Sequence, residues 1–221
     1  MLKKIIVFVL FCLNISLWAN ASNISNTSNK SNTKLWSILI CTIEERKESF
    51  DKLYKKLQDQ INNSNFADAI EILFFSDNRV KSIGFKRNTL IQQSTGEYVC
   101  FIDDDDGVHD RYVQMIYEKL LQKPDCVSLA GIITTNGQNP EKFVHSIKYN
   151  NKYCHENGIY YRPPNHLNPI KKSIAQQFLF PENNFGEDMD WTLQVARSGL
   201  LKVEAVIDEP YYFYYYNGKY G

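Results

Sequence analysis

Neither sign of charge is in surplus: 25 lysines and arginines meet 25 aspartates and glutamates, so the formal net charge at pH 7 is zero. Without a basic excess no long-range field holds nucleic acid or an anionic membrane surface, and any charge chemistry must be local. Cysteine is sparse, five in 221 residues, with a spacing that fits neither a disulfide framework nor a cysteine-type zinc site. Cys41 and Cys100 fall in apolar, strand-like runs, where a cysteine behaves as a small buried hydrophobe. No internal repeat is visible, and a chain of this length with 43% hydrophobic residues supports one well-buried domain but hardly two.

Long apolar runs are scarce as well. The run from Ile5 to Trp18 falls short of the roughly 18 to 20 residues of a membrane-spanning helix, and Asn14 and Ser16 interrupt it. With Lys3 and Lys4 before it and Ala19-Asn20-Ala21 after it, the stretch has the layout of a secretory signal peptide cleaved after Ala21. Residues 1–21 are therefore read as a leader onto the secretory route, giving a membrane-anchored protein if it is retained. Residues 22–34, "SNISNTSNKSNTK", cannot bury enough apolar surface to offset their ordering entropy and read as a linker. The folded domain is then 35–221.

Within that domain, short apolar runs alternate with helical periodicity, the signature of βαβ units. "WSILICT" reads as a first strand, and the following helix carries Phe50, Leu53, Leu57 and Ile61 on one stripe. "AIEILFFS" is a second strand, the stretch through "SIGFKRNTLIQQST" a helix, and "YVCFI" a third strand. Next come the helix "DRYVQMIYEKLLQK" and a strand "CVSLAGIIT". Thr134 to Pro169 is rich in turn formers and reads as hairpins and loops over one sheet edge. A last helix, "EDMDWTLQVARSG", precedes a tyrosine-rich end, which reads as an edge strand with one aromatic face in the core. The expected class is α/β, with a mainly parallel central sheet flanked by helices and ligands at the carboxyl ends of its strands.

That rule selects Thr42 with Glu44 and Glu45, then Asp77, then the four aspartates Asp103 to Asp106, as loops converging on one crevice. Clustered carboxylates raise one another's pKa unless a cation is present, and oxygen ligands suit Mg²⁺, Mn²⁺ or Ca²⁺. An EF-hand register fails, because Gly107 at loop position 6 places Ile102 and Val113 where ligands are needed. A cation completed by water and a substrate diphosphate fits better. Two further constellations stand out: Glu187, Asp188 and Asp190 in the first turn of the last helix beside Trp191, where an ionised carboxylate can act as a general base, and the pair Lys86-Arg87, suited to a diphosphate or to the aspartates.

Taken in order, "SILICTIEER", "FFSD", "FKRN", "TGEYVCFIDDDD" and "FGEDMDW" resemble the inverting family-2-type glycosyltransferases of the GT-A fold, over roughly Trp36 to Ile207. The resemblance implies a single GT-A domain that moves a sugar from a nucleotide diphosphate sugar, a UDP-sugar first, to a hydroxyl on a glycan, protein or lipid acceptor. It implies Asp103 and Asp105 as the pair holding Mn²⁺ or Mg²⁺, Asp104 facing the ribose, and Asp77 meeting the base. Arg87, Thr42 and Glu44 would line the nucleotide pocket, Asp188 would be the catalytic base, and Glu187 would orient it. His166 and Asn168 are implied near donor sugar or acceptor. The first loop departs from the family pattern at Cys41, Ile43 and Glu44, and no histidine follows the last helix. The alternative is a catalytically silent sugar-nucleotide or glycan-binding module of the same fold. Either reading puts the partners at the donor and the acceptor, with no nucleic acid and with membrane proximity only through the leader.

Overall fold

Eight residues of alternating outlook form β1 (Trp36–Ile43), the first five of them buried. Ile38 and Ile40 point into one core and Leu39 into another, as the two-residue period of a strand requires. The computed structural model describes residues 33–150 and 152–217. The expected leader and nearly all of the expected linker lie outside the described residues. Among the described residues no helix is long and apolar enough to cross a membrane.

One core fills the space between the sheet and two helices, α1 (Lys47–Asn62) and α3 (Tyr112–Leu120). Phe50, Leu53, Leu57 and Ile61 are the buried stripe of α1, as their spacing predicts. The second core lies on the opposite face, where Leu90 and Ile91 of α2 (Ile83–Gln93) meet Trp191 and Val195 of α5 (Glu187–Ser198). Trp191 is not a site residue. It is 2% exposed, stacks on Phe180 at 4.9 Å and donates its indole N–H to the Phe178 carbonyl, so it anchors α5 to the core.

The first sheet has β1 paired in parallel with β2 (Ile70–Asp77) and β3 (Tyr98–Phe101). It continues through β10 (Ile170–Lys171) and β5 (Cys126–Val127) to β11 (Glu204–Ala205), and β10 alone runs antiparallel. The mainly parallel central sheet is thus present.

The expected single strand "CVSLAGIIT" is two strands in two sheets. After β5 the chain breaks at Ser128, which is 2% exposed, and β6 (Leu129–Thr135) enters a second sheet. Ser128 holds the break by accepting the Ile207 N–H at Oγ and the Tyr211 hydroxyl at its carbonyl. The stretch expected as hairpins and loops builds three of that sheet's six strands: β7 (Gln138–His145), β8 (Cys154–Glu156) and β9 (Ile159–Arg162). Its other strands are β4 (Gly107–Val108) and β12 (Tyr212–Tyr216). β12 lies between β4 and β6, so it is not an edge strand where Tyr212 and Phe213 pair with β4. The short helix α4 (Lys172–Ala175) covers the junction after β10.

Candidate donor and acceptor site

Loops that follow parallel strands gather at one sheet edge, and those after β1, β2 and β3 line a cleft of about 510 Å³. Its floor is the aspartate run. A turn closed by the Asp106 N–H to the Asp103 carbonyl presents Asp103, Asp104 and Asp105 to the cleft. Asp106 turns away: it is 7% exposed and accepts the Tyr212 hydroxyl at 2.7 Å and the Tyr215 N–H at 3.0 Å. Burial, with the nearby Asp103 charge, pushes its carboxyl well above the usual range. Gly107 follows because a Cβ there would lie 2.7 Å from the Tyr215 hydroxyl oxygen. The tyrosine strand thereby packs on the aspartate turn, and Tyr214, Tyr215 and Tyr216 also line the cleft.

From the first two loops the charged residues that enter are cations, Arg46, Arg79 and Lys81. Thr42 lines the cleft, but Glu44 is exposed and does not. The 3-10 turn Glu44–Arg46 rotates it outward and brings Arg46 in, where the aspartates demand counter-charge. Glu45 pairs instead with Arg79 at 2.7 Å. Asp77 is likewise absent from the lining. Its carboxylate accepts the backbone N–H groups of Arg79 and Lys81 and pairs with the buried Lys86, which also donates to the Thr42 carbonyl. Burial opposes ionisation of Asp77, yet these donors hold its carboxyl below the usual range. This places Asp77 as a brace of the β2 turn.

Arg87 is the residue whose position most exceeds what its motif suggested. It is 3% exposed, and its guanidinium binds Glu187 at 2.8 Å, Asp103 at 3.3 Å and the His166 Nε2 at 3.1 Å, above the rings of Phe101 and Phe180. It ties the aspartate turn to the start of α5. One turn earlier on α2, Gly84 lets the segment before α5 approach closely: a Cβ there would lie 1.8 Å from the Pro181 carbonyl oxygen. Burial pushes the Asp103 carboxyl up, but His166, Arg87 and Arg46 together bring it far below the usual range. The Glu187 carboxyl shows the opposite balance, raised by burial more than Arg87 lowers it.

A second, smaller cavity of about 100 Å³ adjoins the first, and the two share Asp103 and Tyr214 in their walls. Asp188 opens into it from α5, which is preceded by Gly186 in the left-handed conformation (φ 74°). His166 lies between the two acids, its Nε2 3.7 Å from Asp103 and its Nδ1 3.9 Å from Asp188, and that Nδ1 is buried without a hydrogen bond. Asn168, expected beside it in contact with ligand, is 1% exposed and spends its amide on the Val127 and His145 carbonyls and the Asn165 N–H. His145 in the same wall is pushed down to about 3 by burial and Arg162, so it is neutral. The sequence singles out neither Arg162 nor His145, since both fall in the stretch read as hairpins and loops.

The two-sheet α/β architecture, with its aspartate turn after β3 and acidic start of α5, is that of a GT-A glycosyltransferase domain. A family profile agrees: Glycosyl transferase family 2 matches residues 68–183, and the chain belongs to that family. A curated relative, the glucosyl-dolichyl phosphate glucuronosyltransferase of Haloferax volcanii, is 21% identical over 169 residues, covering 76% of this chain and 50% of that protein. Among solved structures, S. aureus TarS 1-349 matches with a TM-score of 0.58 at 15% identity, covering 82% of this chain and 60% of that one. The same fragment in complex with UDP-GlcNAc matches with a TM-score of 0.57 at 14% identity, over 82% and 58%. The chain thus spans about half the length of the curated relative.

Proposed function

We propose that this domain transfers a sugar from a UDP-sugar to a hydroxyl of a glycan, protein or lipid acceptor, with inversion at the anomeric carbon. The observation that carries the reading is the wall shared by the two cavities: Asp103 and Tyr214 separate a cleft floored by aspartates from a pocket holding Asp188. A diphosphate in the first and a hydroxyl in the second would approach one sugar carbon from opposite sides. The UDP-GlcNAc complex of the related fold supports a UDP donor.

Asp103 and Asp105 are the proposed holders of Mn²⁺ or Mg²⁺. The Asp105 carboxyl is raised by burial and by Asp103 and Asp104 against the pull of Arg46, so its ionised form gains from an added cation. Among the described residues no group of three or more histidine, cysteine, aspartate or glutamate side chains is assembled for a metal. Two carboxylates suit an ion whose remaining ligands are water and substrate phosphate. When bound, such an ion neutralises charge on the departing diphosphate.

The chain's own residues carry the rest. Asp188 takes the proton of the acceptor hydroxyl as its oxygen bonds to the anomeric carbon, and the bond to the diphosphate breaks with its electron pair leaving on UDP. Glu187, clamped by Arg87, fixes the first turn of α5 and with it the Asp188 carboxylate. Thr42 and the rings of β12 enclose the nucleotide end.

The test is incubation of the purified protein with UDP- and GDP-sugars and Mn²⁺, reading nucleoside diphosphate release. Asp188→Asn is expected to lower turnover by about 10²- to 10⁴-fold while UDP still binds, as removal of a general base does. Asp105→Asn is expected to abolish the response to Mn²⁺. UDP binding without turnover on any donor would make the domain a silent binding module instead.

A further inference from the structure

The aspartates on the cleft floor already have a cation. One guanidinium nitrogen of Arg46, Nη1, lies 2.8 Å from Asp104 Oδ1 and 3.2 Å from Asp105 Oδ2, so a single group bridges two adjacent carboxylates. Asp104 is 2% exposed, and a carboxylate that deep is costly without a counter-charge. Its other oxygen, Oδ2, is buried with no hydrogen bond. The Arg46 side chain itself is 37% exposed, so it touches solvent as well as the acids. Lys81 also lines the wall, whereas Arg79, Lys86 and Arg87 there are paired with Glu45, Asp77 and Glu187.

We infer that Arg46 is a built-in counter-ion of the aspartate run that competes with a divalent cation at Asp105 and turns to the diphosphate when nucleotide and cation are both present. The inference rests on the donor-site reading above. An ion approaching Asp105 alone meets the guanidinium and its repulsion. A diphosphate changes the balance, because its charge can face guanidinium and ion at once. Metal and nucleotide then each improve the other's binding by the same factor, as linkage requires. With Arg46 and Lys81 in its wall, the cleft also holds the diphosphate before any metal arrives.

Calorimetry on the full chain, with Mn²⁺ and UDP as probes, tests this. The wild-type protein is expected to bind UDP in the presence of EDTA, to bind Mn²⁺ alone weakly, and to show mutual tightening. Arg46→Gln should bind Mn²⁺ alone on the order of tenfold tighter, about 1.4 kcal/mol, and UDP in EDTA on the order of tenfold weaker. Arg46→Lys, which keeps the charge, should retain the wild-type pattern. Should Arg46→Gln fail to fold with Asp104 left uncompensated, Asp104→Asn alone and the double variant Arg46→Gln/Asp104→Asn give the same comparison without the buried charge. Equal Mn²⁺ affinity with and without Arg46, or UDP binding that needs metal absolutely, overturns the inference and leaves the donor site standing. No UDP binding under any condition overturns both.

Discussion

Arg87 shows how much of this site depends on one buried side chain. Its guanidinium fork reaches Glu187, Asp103 and His166 at once, a geometry that a lysine ammonium cannot reproduce. Removing it leaves Glu187, 5% exposed, as a buried carboxylate with no counter-charge. Arg87→Met is therefore expected to cost about 3–5 kcal/mol in denaturant unfolding, the range for breaking a buried pair. Adding Glu187→Gln to it should restore much of that loss, because the unpaired charge goes too. Additive losses in the double variant would refute the coupling. In activity, Arg87→Lys should lower kcat more than it raises KM, since what it disturbs is the placement of Asp188 and Asp103. Sequence reasoning reached Arg87 through "KRN" beside the aspartates, but local composition could not tell a group facing nucleotide from one facing Asp103 and Glu187. His166 was weaker still as a signal: only the fold brings it from a loop to within 4 Å of both acids.

The strands and helices of the first half were legible because hydrophobic period and burial agree there, as in α1 and in the two-sided β1. In the second half the helix that became α5 was legible but the strands were not, for a physical reason visible in β5 and β6: "CVSLAGIIT" is apolar throughout, so no period marks the break at Ser128 where the chain changes sheets. Nor does the sequence show the 3-10 turn that sets Glu44 outward and Arg46 toward the cleft. Asp125 illustrates what secures the small strands. Its carboxylate accepts the Lys171 ammonium at 3.0 Å and the N–H groups of Lys202 and Val203 at 2.9 and 2.8 Å, joining β5, β10 and the approach to β11. Burial works against its ionisation, but these donors win and hold the carboxyl below its usual value. The unfolded chain thus binds the proton more tightly than the fold does, so the stabilisation is complete above the ordinary carboxylate pKa, about 3.9, and is lost as pH falls through the lower folded value. Asp125→Asn should lower stability at pH 7 by about 1.5–3 kcal/mol, the range for hydrogen bonds to a charged group. The difference from wild type should shrink in urea titrations at progressively lower pH; a constant difference would assign the loss to packing.

The leader reading makes a demand on the folded domain as a whole. A chain sent into an oxidising compartment with unpaired cysteines must shield them, and Cys41, Cys100, Cys126 and Cys154 are all free. Cys100 and Cys126 are buried in the cores, and burial pushes the Cys41 and Cys100 thiols up to about 12 and the Cys126 thiol higher than its usual value as well. The reactive form of a cysteine is the thiolate, so these three have almost none near neutral pH. Cys41, which lines the cleft, and Cys154 on β8 are both half-buried, and burial with Glu156 raises the Cys154 thiol too. Native alkylation at pH 8 should therefore label Cys154 slowly, Cys41 more slowly still because its thiol is pushed up to about 12, and leave Cys100 and Cys126 until the protein is unfolded. We propose that the exported protein begins at Ser22, with Cys12 removed along with the leader. Intact mass after complete alkylation of the denatured, secreted protein should then show four modified thiols and a chain starting at Ser22. Five thiols and a start at Met1 would mean that the apolar run is retained, and the domain would then work tethered to a membrane surface, its cysteines protected by the same burial.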